Sequence, residues 1–102
     1  VKIIRDFLEH RLPVEDWRHI TDEVEIRELL KERLEEALDE LADQEYLSID
    51  KYAEVMGVLH ALMHWHHIDR HEVNDACLAK NAKDGAFYTG LVYEPVNKDR
   101  GN

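Results

Sequence analysis

Two acidic stretches carry the side chains best suited to chemistry. The first is Glu35-Glu36-Ala37-Leu38-Asp39. On a helix turning about 100° per residue, Glu36 and Asp39 lie roughly 60° apart and Glu35 and Asp39 roughly 40° apart, so three carboxylates share one face. The second surrounds Glu54, with Asp50 one turn before it on nearly the same line. Ala53, Gly57 and Ala61 run beside Glu54 and leave space around it. The segment is apolar over more than half its circumference, from Tyr52 through Val55, Met56, Leu59 and Leu62 to Trp65, which predicts a mostly buried helix. A buried carboxylate needs a cation, a donor or a proton. Oxygen-only clusters suit hard divalent ions such as Mg²⁺ or Mn²⁺ rather than Zn²⁺, and such ions favour phosphate oxygens. They also lower the pKa of a bound water and so supply a nucleophile. Plainer readings stand beside this one. The first stretch fits the solvated side of an amphipathic helix, opposite Leu30, Leu34, Leu38 and Leu41. Glu54 fits an ion pair with Arg or Lys where two helices close over Gly57 and Ala61.

The elements that must position these groups are helical. Asp22 followed by Glu25 forms a capping box, which predicts a helix from about Glu23 to Asp43–Glu45 with Leu30, Leu34, Ala37, Leu38 and Leu41 on one face. Ser48 caps a second helix that runs to about His66. Asp69 with Glu72 caps a third, through Val73, Ala76, Cys77 and Lys80. Residues 1–21 are mixed, and Pro13 interrupts them. Ala86–Val96 reads as an extended tail packing on the helices. Strand alternation is weak elsewhere, so the class is all-α, with two longer helices joined by a short turn and therefore antiparallel.

Composition narrows the function classes. The chain of 102 residues has 13 Lys+Arg against 23 Asp+Glu, a formal charge of −10, which argues against a nucleic-acid polymer and against an anionic membrane surface. No apolar run is long enough to span a bilayer, no secretory leader is visible, and the single cysteine, Cys77, excludes an internal disulfide. One domain over 1–102 in a reducing cytoplasm is the expectation. An acidic chain still takes an acidic ligand if a divalent cation sits between them.

These residues resemble the MazG-like, all-α nucleoside triphosphate pyrophosphohydrolases. The family's EExxE stretch is matched by Glu35-Glu36-Ala37-Leu38-Asp39, and the ExxD of its next helix by Lys51-Tyr52-Ala53-Glu54. Lys2-Ile3-Ile4-Arg5-Asp6 resembles the KLVRD opening of the compact subgroup, and Gly85-Ala86-Phe87-Tyr88-Thr89-Gly90-Leu91-Val92 its closing GGFxxGIV. The match covers nearly the whole chain in order. The resemblance implies a bundle of about four helices that forms a dimer or a dimer of dimers. It implies Mg²⁺-dependent hydrolysis of a (d)NTP to the monophosphate and pyrophosphate, with Mn²⁺ able to substitute. By position it makes Glu36, Asp39 and Glu54 metal ligands and gives Glu35 or Glu36 the attacking water. The first acid of ExxD is Lys51 here, which cannot bind a metal. Either one ion is lost, or Asp50 substitutes, or Lys51 contacts a phosphate. Glu32 and Asp84 stand where the family often has basic residues, which leaves Lys80 and Lys83, with Lys51 or Arg5, as candidates for the leaving pyrophosphate. The base is expected in an apolar pocket formed by Trp17, Tyr46, Tyr52 or Trp65.

Two other groups have their own readings. His60, His64, His67 and His71 are spaced by four, three and four, but the Asp69–Glu72 box splits the stripe, so His60 and His64 read as polar edge or interface residues. Cys77 reads as a small buried hydrophobe. The alternative to an enzyme is a helical dimer that binds nucleotide or a basic protein partner without turnover.

Overall fold

The structure, a computed structural model, describes residues 1–43 and 48–96. Among them are α1 (Glu23–Asp43), α2 (Ile49–Trp65) and α3 (Arg70–Asp84), preceded by two short 3-10 turns at Asp6–His10 and Val14–Asp16. No strand occurs among the described residues. The all-α class holds, with three α-helices among the described residues where a bundle of about four was expected.

The helix starts follow from the polar residues that precede them. Asp22 accepts from the Val24 N–H at 3.0 Å and Ser48 from the Lys51 N–H at 3.4 Å. Asp69 accepts from the His71 N–H at 2.8 Å. Each satisfies an amide that the first helical turn leaves free. The end of α2 is closed by a double bond pattern, His67 N–H to the His64 carbonyl at 3.0 Å and Ile68 N–H to the Met63 carbonyl at 2.9 Å. This is the Schellman arrangement, and it places His67 in the left-handed region at φ 58°. The reversal into α3 is thus fixed by hydrogen bonds rather than by a glycine. At the end of α3, Gly85 takes φ 86°.

Helices α1 and α2 pack antiparallel: Arg27 reaches the Trp65 carbonyl, Arg33 reaches Glu54, and Glu40 pairs with Lys51. Ile26, Leu30 and Val58 form the core between them, with Ile3, Ile20, Leu34, Leu62 and Trp65 packed around it. Ala37 is the most completely covered side chain of α1, at 1% exposure. The seam of α1 therefore runs through buried Ile26, Leu30 and Ala37, with half-buried Arg33 and Leu34 beside them. Leu38, expected on the buried face, is 47% exposed.

Three further expectations are corrected. Helix α2 is half-covered rather than buried: Val58 alone is buried, while Tyr52 and Met56 are exposed. The tail does not pack on the chain's own helices, since Phe87, Tyr88, Leu91 and Tyr93 are almost fully exposed. Helix α3 is likewise uncovered: Val73 is the one position of that helix that is even half-buried. For the same reason Cys77 is exposed rather than buried.

Candidate functional site

The N-terminal segment crosses the α1–α2 pair and sets Arg5 against α2. Arg5 donates from Nε and Nη2 to Glu54 Oε2, at 3.2 and 2.7 Å. Arg33, from α1, donates from Nη2 to Glu54 Oε1 at 3.0 Å. Each oxygen of Glu54 thus meets its own guanidinium. The Arg5 hydrogen bond is the main reason the Glu54 carboxyl sits below its ordinary range. Partial burial works against it, and the charges of Arg5 and Arg33 add to it. Gly57 leaves room for the Arg5 approach: a Cβ there would lie 3.3 Å from Arg5 Nη2 and crowd it.

Glu36 joins the same cluster from the other side of Arg33. Its Oε2 lies 3.7 Å from Arg33 Nη1 and 3.5 Å from Lys2 Nζ. The carboxylates of Glu36 and Glu54, from two different helices, therefore flank one guanidinium. At 3.7 Å the Glu36 contact is too long for a hydrogen bond, and the buried Nη1 has no hydrogen-bond partner.

Two cavities adjoin this cluster. One, of about 520 Å³, is lined by Arg5, Arg33, Glu54, Gly57, His60, His64 and Trp65, with apolar walls from Ile3, Leu30 and Val58. The other, of about 440 Å³, lies on the far side of the N-terminal segment between Trp17, Ile20, Ile26 and Trp65, with Glu9 and His19 in its lining. Both volumes suit a small organic ligand. Ile3, Arg5 and Trp65 line both, so the cavities share a wall. Trp17 stands edge-on to His19, with ring centroids 5.5 Å apart, and its indole N–H is buried without a partner.

The structure brings together some of the predicted residues and leaves others apart. Glu36, Glu54 and Arg5 share the cluster, and Trp65, His60 and His64 line its cavity. Glu35, Asp39 and Asp50 are exposed and line neither cavity. Lys51 is bonded to Glu40 at 3.3 Å. Lys80 and Lys83 are exposed on α3 and line neither cavity, as is Tyr52 on α2. Tyr46 lies outside the described residues. No group of three or more His, Cys, Asp or Glu side chains gathers as a ready-made metal centre among the described residues. Arg33 is the residue that sequence reasoning missed. Its signal was present: Ile26, Leu30, Arg33 and Ala37 follow four-three-four spacing, so Arg33 lies on an apolar seam three residues before Glu36.

Comparison of the chain with protein-family models, curated proteins and solved structures yields no match.

Proposed function

We propose that this chain is a MazG-like, metal-dependent nucleoside triphosphate pyrophosphohydrolase, which converts a (d)NTP to the monophosphate and pyrophosphate and works as a homodimer or homotetramer. What supports this is the meeting of Glu36 and Glu54, carried by separate helices, at one cationic group beside a ligand-sized cavity. Two carboxylates aimed at a positive charge are a donor set of the kind that hard divalent ions take. Glu36 and Glu54 would hold Mg²⁺ or Mn²⁺. The ion supplies charge neutralisation of the triphosphate and a water of lowered pKa.

The chain's own side chains do the rest. Glu36, half-covered and next to Arg33, is better placed than the exposed Glu35 to orient a water and take its proton. The water oxygen forms the new P–O bond at the α/β-phosphate junction. The bridging P–O bond breaks, and pyrophosphate leaves with the electron pair. The base occupies the neighbouring cavity against Trp17 and Trp65, where aromatic faces and an unpartnered indole N–H meet a ring and an acceptor.

A second reading is favoured by one observation: both oxygens of Glu54 are already engaged by guanidinium groups. In that reading the chain binds nucleotide or a basic partner and does not turn over. Pyrophosphate release from a (d)NTP panel with Mg²⁺ and with Mn²⁺ separates the two. Turnover that falls by about two orders of magnitude in Glu36→Ala and in Glu54→Ala supports the hydrolase, on the scale of a lost electrostatic contact to the transition state. Turnover retained by both variants sinks the ligand assignment. Mg²⁺-dependent nucleotide binding with no product supports the second reading.

A further inference from the structure

We propose that Arg33 and Arg5 form an oxyanion site in the cavity over Gly57, which takes a phosphate or pyrophosphate group without the help of a metal ion. The proposal rests on the hydrolase reading for the identity of the anion. It moves the grip on the leaving group away from Lys80, Lys83 and Lys51, which line neither cavity.

The first observation is the unsatisfied donor. Arg33 is mostly covered, its Nη2 is spent on Glu54, and its buried Nη1 makes no hydrogen bond, the Glu36 carboxylate standing 3.7 Å away. Leaving a buried guanidinium N–H unpaired is costly, and the cost is recovered when an acceptor enters. A planar guanidinium presents donors in a fork that matches two oxygens of one phosphate.

The second observation is the arrangement of cations around the same space. The Arg5 guanidinium lies beside Gly57, where a Cβ would stand 3.3 Å from its Nη2. His60 and His64, one turn apart on α2, add polar groups to the same lining. The chain as a whole carries −10, so its field repels anions. The lining of this cavity is closer to balanced: two guanidinium groups, Arg5 and Arg33, stand beside two carboxylates, Glu54 and Asp6, with two imidazoles as further polar groups. Arg5 is itself exposed and comes from an irregular segment, so it can turn from Glu54 to an incoming anion while Arg33 stays anchored in the α1–α2 seam.

The test is titration of the full chain in EDTA with sodium pyrophosphate, phosphate, acetate and a dNTP. It is followed by the arginine side-chain N–H resonances and by the thermal midpoint. Pyrophosphate should raise the midpoint and move the Arg33 resonances, with acetate doing neither. Arg33→Lys keeps the charge but loses the fork, and should weaken pyrophosphate about tenfold. Arg5→Gln should weaken it by a similar factor and tests the site if Arg33→Lys fails to fold. Lys31→Gln, on an exposed part of α1, should change nothing. Unaltered affinity in Arg33→Lys and in Arg5→Gln overturns the site. So does affinity lost in Lys80→Gln/Lys83→Gln but kept in Arg33→Lys, or acetate binding as tightly as pyrophosphate. Pyrophosphate gripped through Arg33 by a chain that never hydrolyses a (d)NTP keeps this site and removes the hydrolase. Turnover with metal-free binding indifferent to Arg33 does the reverse.

Discussion

Glu54 stays ionised more readily than a free glutamate because Arg5 donates two hydrogen bonds to it and Arg33 a third. Its carboxyl is held below the ordinary value of 4.5, so the folded chain favours the charged form more than the unfolded chain does. The stabilisation is complete above about pH 4.5 and disappears as pH falls through the lowered folded value. Urea denaturation of wild type and Glu54→Gln from pH 7 to pH 3 should show a stability gap that narrows only at the acid end. A gap constant across that range would mean that Glu54 acts through shape rather than charge. Arg5 is well exposed, so its part of the effect should also shrink in high salt. At this scale the sequence was partly legible. Glu54 stood out as an acid on an apolar helix, and an Arg or Lys partner was one of its open readings. The identity of that partner was not legible, because Arg5 reaches Glu54 across 49 positions and no local pattern encodes such a contact.

Among elements, the helix caps were read correctly and the seam between helices only in part. Asp22, Ser48 and Asp69 all accept from the first helical turn, because capping depends on a few neighbouring residues. Of the two caps that open α2 and α3, Asp69 makes the shorter bond, 2.8 Å against 3.4 Å for Ser48. Asp69→Ala should therefore cost about 1 kcal/mol and Ser48→Ala less, measured by chemical denaturation. Equal losses would show that bond length at the cap is not what sets its contribution. The face of α1 was harder to read. Of the face read from spacing, Leu30 and Ala37 are buried and Leu34 packs on the core, but Leu38 turns outward, and the packed row also takes in Ile26 and Arg33. Steps of four drift around a helix of about 3.6 residues per turn, and only the partner helix decides which row it covers. Because the core has so few members, each matters. Leu30→Ala should lose about 2–5 kcal/mol, a large part of the stability of so small a domain. A loss below about 1 kcal/mol would mean that the α1–α2 seam is not what holds the chain together.

As a whole molecule the single chain is extended and under-covered. Its radius of gyration is 19.1 Å, against about 13 Å for a compact domain of this length. Its accessible surface is 9425 Å², where a compact monomer of this size would show about 6,000 Å². The excess is several times the roughly 800 Å² that each partner buries in an ordinary complex, and is of the order seen when obligate subunits share a core. Large apolar residues left exposed include Phe87, Tyr88, Leu91 and Tyr93 in the tail, Leu78 on α3, and Tyr52 and Met56 on α2. Large exposed apolar patches of this kind mark association surfaces. Nothing local in Ala86–Val96 tells a tail that folds back from one that serves another subunit, because both need the same apolar residues. We therefore expect sedimentation at micromolar concentration to give a dimer or tetramer. Phe87→Ser combined with Leu91→Ser should shift the equilibrium toward monomer with the helix content of α1 and α2 retained. If the proposed hydrolase needs neighbouring subunits to complete its cleft, pyrophosphate release should fall with the dimer and recover as protein concentration is raised. A monodisperse monomer of full activity would place the tail outside the function and leave the α1–α2 cleft to act alone.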